Sequence, residues 1–204
     1  APCPRPGSCL RRRWGWAKGR WWSSIKLTGT ARGRRLITPA GLATRPTSEM
    51  AKEAIFSIIQ FEVEGSMVLD LFAGSGQLGI EALSRGARGA VFVDNARAAV
   101  EAIGQNLAFT GLGQNARVMP VEAMAFLRSY REVFDIALLD PPYQKGLIEE
   151  ALPLLAEKVS PGGIIICETE RGETLPAAAG DFTRKKEYRY GKAKVTTYRR
   201  EEEA

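Results

Sequence analysis

Histidine is absent from the chain. That excludes Ser-His and Cys-His nucleophile pairs and the common histidine metal sites, so any proton work falls to carboxylates or to the backbone. The three cysteines, Cys3, Cys9 and Cys167, are scattered, with neither metal-ligand spacing nor a disulfide framework. Such usage suits a reducing cytoplasm, where we expect the protein. No apolar run reaches the ~18 residues that a membrane span needs. Acidic residues are missing from the first 48 positions, which carry eleven Lys or Arg, whereas the remainder holds 18 basic against 23 acidic residues. A basic arm on a mildly acidic body points to a phosphate-rich partner, nucleic acid above all.

What is present suffices for one core with a small appendage: 204 residues, 45% of them apolar. The stretch that organises them is Met67-Val-Leu-Asp-Leu-Phe-Ala-Gly-Ser-Gly-Gln-Leu-Gly79. A short apolar run breaks at closely spaced glycines and resumes with helical spacing through Leu83. That is strand, glycine turn and helix, the opening unit of an α/β nucleotide fold. Gly74 and Gly76 let the backbone approach a ligand where a Cβ would collide. The helix beginning near Gln77 aims its free amides at the same spot.

Upstream, residues 1–24 mix Pro, Gly, Arg and Trp without any period. Arg11, Arg12 and Arg13 with Trp14, Trp16, Trp21 and Trp22 would suit phosphate gripping and base stacking. A disordered or transit-type leader has the same composition, and we expect disorder. Residues 25–38 read as two short strands around a basic glycine turn, in which Arg32, Arg34 and Arg35 could hold an RNA backbone or simply be solvated. Pro46 pushes Arg45 away from helix, and Thr47 or Ser48 can cap a helix over 49–60 with the apolar face Ala51, Ala54, Ile55, Ile58 and Ile59. Arg45 has no apolar job and is a further RNA candidate.

Downstream, Gly89–Asp94 is a second buried strand ending in an acid, 18 residues after Gly76. That is near the ~20 at which this fold places an acid on ribose hydroxyls. The alternative role for Asp94 is to cap the helix 96–109. A third strand, 116–120, leads to a helix over 122–130. The hydrophobic strand 133–139 then stops on Asp140-Pro141-Pro142-Tyr143. The prolines pin the carbonyls of Asp140 and Pro141 outside any ladder, and the strand end puts the tetrapeptide beside the glycine loop. An acid, fixed carbonyls and an aromatic ring suit a flat, amine-bearing base; the bland alternative is a proline turn with a surface tyrosine. A helix over 146–158, a Pro161-Gly162-Gly163 turn, a buried strand 164–168 and a hairpin of 182–188 with 193–198 complete the chain. The tail 201–204 reads as solvated.

The order Asp-Leu-Phe-Ala-Gly-Ser-Gly followed by Asp-Pro-Pro-Tyr resembles the S-adenosylmethionine-dependent amino methyltransferases. Thr30-Ala31-Arg32-Gly33-Arg34, Arg45-Pro46-Thr47-Ser48, Glu81–Ala87 and the Tyr190-Gly191 hairpin narrow the resemblance to the RsmD-type 16S ribosomal RNA guanine-N2 methyltransferases, over about residues 25–200. It implies a Rossmann-like class I sheet, mostly parallel with an antiparallel C-terminal hairpin, spanning 49–200 behind a small β-hairpin extension at 25–48. It implies that Asp70, Phe72, Ala73, Gly74 and Gly76 line the methionine and ribose side of the cofactor. Asp94 and Asn95 would serve the ribose, and Glu122 and Ala123 the adenine. Asp140, Pro141, Pro142 and Tyr143 would be catalytic, and no metal is implied. The implied partner is 16S ribosomal RNA, within the small subunit or its assembly intermediate, and we take the protein as a monomer.

The physics agrees. An exocyclic amine lends its lone pair to the ring, and hydrogen bonds to Asp140 and a fixed carbonyl help it present that pair to an already activated methyl. Three rivals use part of the pattern. A DNA adenine methyltransferase would share the tetrapeptide but normally adds a target-recognition segment. A nicotinamide dehydrogenase leaves Asp140–Tyr143 unexplained, and a non-catalytic RNA-binding module rests on the basic arm alone.

Overall fold

The computed structural model describes residues 20–39 and 46–201, with side-chain surroundings from 26–38 and from 50 onward. Strands β1 (Arg20–Lys26) and β2 (Arg35–Pro39) pair antiparallel as a separate two-stranded sheet. β1 therefore begins inside the stretch read as irregular. Cys3, Cys9, the Arg11–Arg13 cluster, Trp14, Trp16 and Arg45 lie outside the described residues. Helix α1 (Pro46–Ile58) starts at the proline, which is favoured at a first helical position, so Thr47 and Ser48 lie within its first turn instead of capping it.

The remaining strands form one eight-stranded sheet. β3 (Met67–Leu71), β4 (Gly89–Val93), β5 (Ala116–Met119), β6 (Phe134–Leu139) and β7 (Val159–Glu170) are parallel in the order β5-β4-β3-β6-β7. The short β8 (Ala178–Ala179), β9 (Phe182–Tyr190) and β10 (Ala193–Arg200) extend it antiparallel as β7-β10-β9-β8. The mostly parallel sheet with a C-terminal hairpin is thus as the sequence implies. One detail differs. Pro161-Gly162-Gly163 does not end a turn but sits within β7, where the pairing with β6 slips between Phe134 and Ile136. Proline and glycine inside a strand belong at such irregularities.

Helices α2 (Gln77–Ser84), α3 (Arg97–Thr110), α4 (Ala123–Ser129) and α5 (Leu147–Ala156) connect the parallel strands. Successive strand residues enter opposite cores, as the strand period of two demands. Val68, Phe92, Ile136 and Ile166 meet Ile55, Ile80 and Ile103 on one face. On the other, Leu69, Val91, Ala137 and Cys167 meet Phe126, Leu152 and Leu155. Each fully buried aliphatic side chain here stabilises by about 1.5–3 kcal/mol.

Two glycines show why α2 packs so close to the sheet. Gly76 sits at φ +77°, and an added Cβ would meet Ile103, Ile80 and Phe92 at 3.2–3.3 Å. At Gly79 it would strike the Phe92 ring at 2.3 Å.

The hairpin is clasped onto α2 and α3. Glu81 accepts from the Thr28 backbone N–H at 3.2 Å, from Thr28 Oγ1 at 2.5 Å and from Arg85 Nε at 2.7 Å. Ser84 Oγ accepts from Ala31 N–H at 2.9 Å. Asn106, fully buried on α3, accepts from Ile37 N–H at 2.7 Å and donates to Ile37 O and Ser75 O, both at 2.9 Å.

Candidate active site

The carboxyl ends of β3, β4 and β6 open onto a cleft of about 710 Å³, where ligands of open α/β sheets sit. Its floor is the glycine turn. Phe72 holds φ +67°, a backbone state costly for a bulky residue and typical of functional turns. Ala73 N–H bonds Val93 O at 3.0 Å, tying the turn to β4.

Asp70 lies at the end of β3, 2% exposed, and accepts from Gly79 N–H of α2 at 2.8 Å. It thereby holds one of the helix's free amides from across the turn. Burial pushes its carboxyl up to about 7; the Gly79 bond opposes this, Asp140 adds to it and Lys52 counters it. Asp94 closes the turn from the β4 side, accepting from Gly74 N–H and from Ala96 N–H, each at 2.9 Å. The single acid thus both fastens the glycine loop and caps the next segment, and it still lines the cleft.

Glu122 caps α4, accepting from Met124 N–H at 3.0 Å and Ala125 N–H at 2.8 Å, and these bonds hold its carboxyl below the usual range. Phe72, Ala73, Gly74, Asn95, Glu122 and Ala123 all border the cleft. Gly76 does not: it faces the core, and its glycine is set by φ and by packing rather than by a ligand.

Asp140 follows β6 and lines the cleft with Pro141, Pro142 and Tyr143. Burial raises the Asp140 carboxyl and the nearby Lys52 ammonium, at 4.0 Å, lowers it. The Tyr143 hydroxyl donates to Glu168 Oε1 at 3.1 Å, fixing the ring against buried β7.

Two residues were missed in the sequence. Lys52, only 8% exposed on α1, donates to Gln77 Oε1 at 2.6 Å. It is the one basic side chain lining the cleft among the described residues, set among Asp70, Asp94, Glu122 and Asp140. Because an ammonium only donates, the bond assigns the Gln77 amide, and Gln77 Nε2 is then a buried donor without a partner among the described residues. Nothing in the sequence marks Lys52, a charged residue on an amphipathic helix. Glu168 was better signalled, as an acid directly following the apolar run Ile164–Cys167 within a buried strand.

Arg32, Arg34 and Arg35 line no part of the cleft. Arg34 donates to Phe109 O at 2.5 Å and stacks over the Phe109 ring at 5.6 Å, at the carboxyl end of α3. The cleft-lining Ala96 precedes the other end of that helix, about 20 Å away at 1.5 Å per residue.

A glycine-turn cofactor cleft closed by a strand-end Asp-Pro-Pro-Tyr, on a sheet of this order, defines a Rossmann-like methyltransferase. The chain belongs to the RsmD family: the family model described as conserved hypothetical protein 95 matches residues 26–199. It is 35% identical to the ribosomal RNA small subunit methyltransferase D of Escherichia coli (strain K12), over 85% of this chain and 88% of that protein. It is 36% identical to the YlbH protein of Bacillus subtilis (strain 168), over 85% and 97% of the two. Among solved structures, the Escherichia coli yhhF protein matches with a TM-score of 0.77 and 34% identity, covering 91% of this chain and all of that one. The Thermus thermophilus 16S rRNA N2 G1207 methyltransferase RsmC, solved with AdoMet and guanosine, shares the fold at a TM-score of 0.72 and 21% identity, over 91% of this chain and 52% of its own. The protein is an rRNA methyltransferase.

Proposed function

We propose that the protein transfers a methyl group from S-adenosylmethionine to the N2 amine of a guanine in small-subunit ribosomal RNA. The observation that carries this is the convergence of the Gly74 turn and Asp140-Pro141-Pro142-Tyr143 on one cleft. The family supports the substrate class.

The cleft fits the cofactor's chemistry. Val93, Ala99 and Val121 offer an apolar wall for a flat base, with Asn95 and Glu122 at its edge. Asp94 keeps acceptor capacity for ribose hydroxyls beyond its two amide bonds. Lys52 and the unpartnered Gln77 Nε2 are the donors a carboxylate would require. Bound there, S-adenosylmethionine supplies an electrophilic methyl on a sulfonium.

The protein's part is to present the amine. Asp140 and the Pro141 carbonyl accept from its two N–H groups, turning the nitrogen lone pair toward the methyl. Tyr143, steadied by Glu168, stacks on the ring. As positive charge develops on the nitrogen, Asp140 stabilises it and takes the proton. A duplexed guanine could not reach this depth, so the base enters looped out or flipped.

Methyl transfer from labelled cofactor tests this, offered to small subunits lacking the modification, to naked 16S RNA and to adenine-containing duplex DNA. Label on a guanine of the RNA, reduced at least 10²-fold by Asp140→Asn, is the expected result. Label on DNA alone would move the protein to the adenine enzymes.

A further inference from the structure

A second concavity opens beside the cleft on the same edge of the sheet. Past the end of β7, Arg171 and Gly172 lie against the β9–β10 hairpin, where Arg189 near the end of β9 and Gly191 and Lys192 in the turn stand. The Arg171 N–H donates to Lys192 O at 2.7 Å, joining the two segments. With Glu170 they line an open hollow of about 680 Å³. Arg171, Arg189 and Lys192 are exposed, and none forms an ion pair among the described residues. The one acid, Glu170, is engaged by the Gln144 side-chain amide.

That engagement places the hollow. Gln144 directly follows Tyr143, and Tyr143 itself bonds Glu168, two residues before Glu170 on the same strand. β7 runs parallel to β6, so the hollow and Asp140 share the carboxyl edge of the sheet. The cleft has four carboxylates and a single ammonium, and would repel a nucleotide's own phosphates. The arginines of the hairpin turn sit a helix length away. A strand delivering one base to Tyr143 carries phosphates on either side of it, and those must find cations just outside the cleft. The hollow supplies three.

We propose that Arg171, Arg189 and Lys192 seat the backbone phosphates of the RNA strand next to the target base. This rests on the RNA reading above. Binding of unmodified 16S RNA transcript is measured against salt for the wild type and for an Arg171→Ala, Arg189→Ala, Lys192→Ala variant, with S-adenosylhomocysteine affinity in parallel. We expect RNA affinity to fall at least tenfold, with the log–log salt slope reduced by about 2, at roughly 0.7 per contact for single strands. Cofactor affinity should stay within twofold. Arg171→Lys with Arg189→Lys should keep most of the slope, since phosphate positioning needs charge more than a fork. Should the triple variant fail to fold, Lys192→Ala alone, at a hairpin tip, should show about a third of that reduction. An unchanged slope in the alanine variants would overturn the proposal, as would lysine replacements as weak as alanine. A wild type that binds the transcript through these residues yet labels no RNA would remove the methylation reading and keep the hollow.

Discussion

Asp70, Asp140 and Lys52 form the electrostatic centre of the cleft, and their balance sets how the protein responds to pH. For the methyl transfer proposed above, Asp140 must be ionised to accept from the amine and take its proton. Burial works against that, and Lys52 works for it. Removing the ammonium in Lys52→Met raises the Asp140 pKa further. Activity falls as pH drops through that value, so we expect the acid limb of the kcat/KM profile to move to higher pH. A profile that keeps its acid limb in place would show that Lys52 acts elsewhere. Asp70 gives a stability signature of opposite use. Its folded pKa, about 7, lies above the model-compound value of 3.8, so the folded state binds the extra proton. Between those values stability declines as pH rises, by at most about 4 kcal/mol, and the full penalty is present above 7. Asp70→Asn keeps an acceptor for Gly79 N–H without the charge. Its melting temperature relative to wild type should therefore be higher at pH 8 than at pH 5.

At the scale of elements, the hairpin is attached to the body by the buried Leu27, Ala31 and Leu36 and by polar groups toward the carboxyl ends of α2 and α3. Glu81, 7% exposed, satisfies both polar groups of Thr28 and the Arg85 guanidinium. Glu81→Ala removes all three bonds, and chemical denaturation should register a loss of about 1–3 kcal/mol. The hairpin should also become the first segment cut by protease. Asn106 adds a link from Ile37 to Ser75 O in the glycine turn, so the extension and the cofactor loop share one buried side chain. The α2 packing is as tight on the sheet side. Gly79→Ala drives a methyl into Phe92 and should cost about 1–3 kcal/mol by the same measurement. In the fold that glycine is a packing position, and its amide serves Asp70.

At the scale of the whole molecule, basic side chains among the described residues gather at the hairpin turn, with Arg32, Arg34 and Arg35, and at the sheet edge beside the cleft. If the turn grips RNA away from the target, alanine at its three arginines should lower the salt slope of RNA binding while leaving S-adenosylhomocysteine-induced stabilisation intact. An unchanged slope would return those residues to a solvated face. The order of strands, the glycine turn, the acid ending β4 and the tetrapeptide ending β6 were legible because each is written in contiguous residues. Apolar runs, glycine breaks and prolines act within a few positions of themselves. Boundaries suffered where neighbours decided: β7 runs through Pro161-Gly162-Gly163 because β6 continues to pair on either side of them. α1 starts at Pro46 because the missing N–H costs nothing there.

What the sequence by itself determined is the fold class, the glycine turn and the meeting of that turn with Asp140 and Tyr143, since local periodicity and short motifs carry them. The tertiary structure alone decided which distant groups surround those residues. Lys52 reaches Gln77 and Asp140 across 25 and 88 positions, Glu81 holds Thr28 across 53, and Arg171 meets Lys192 through a hairpin. Such pairs leave no local pattern. A lysine on an amphipathic helix looks the same whether it ends in water or among the carboxylates of a cleft, and only the packing of α1 against the body chooses between them.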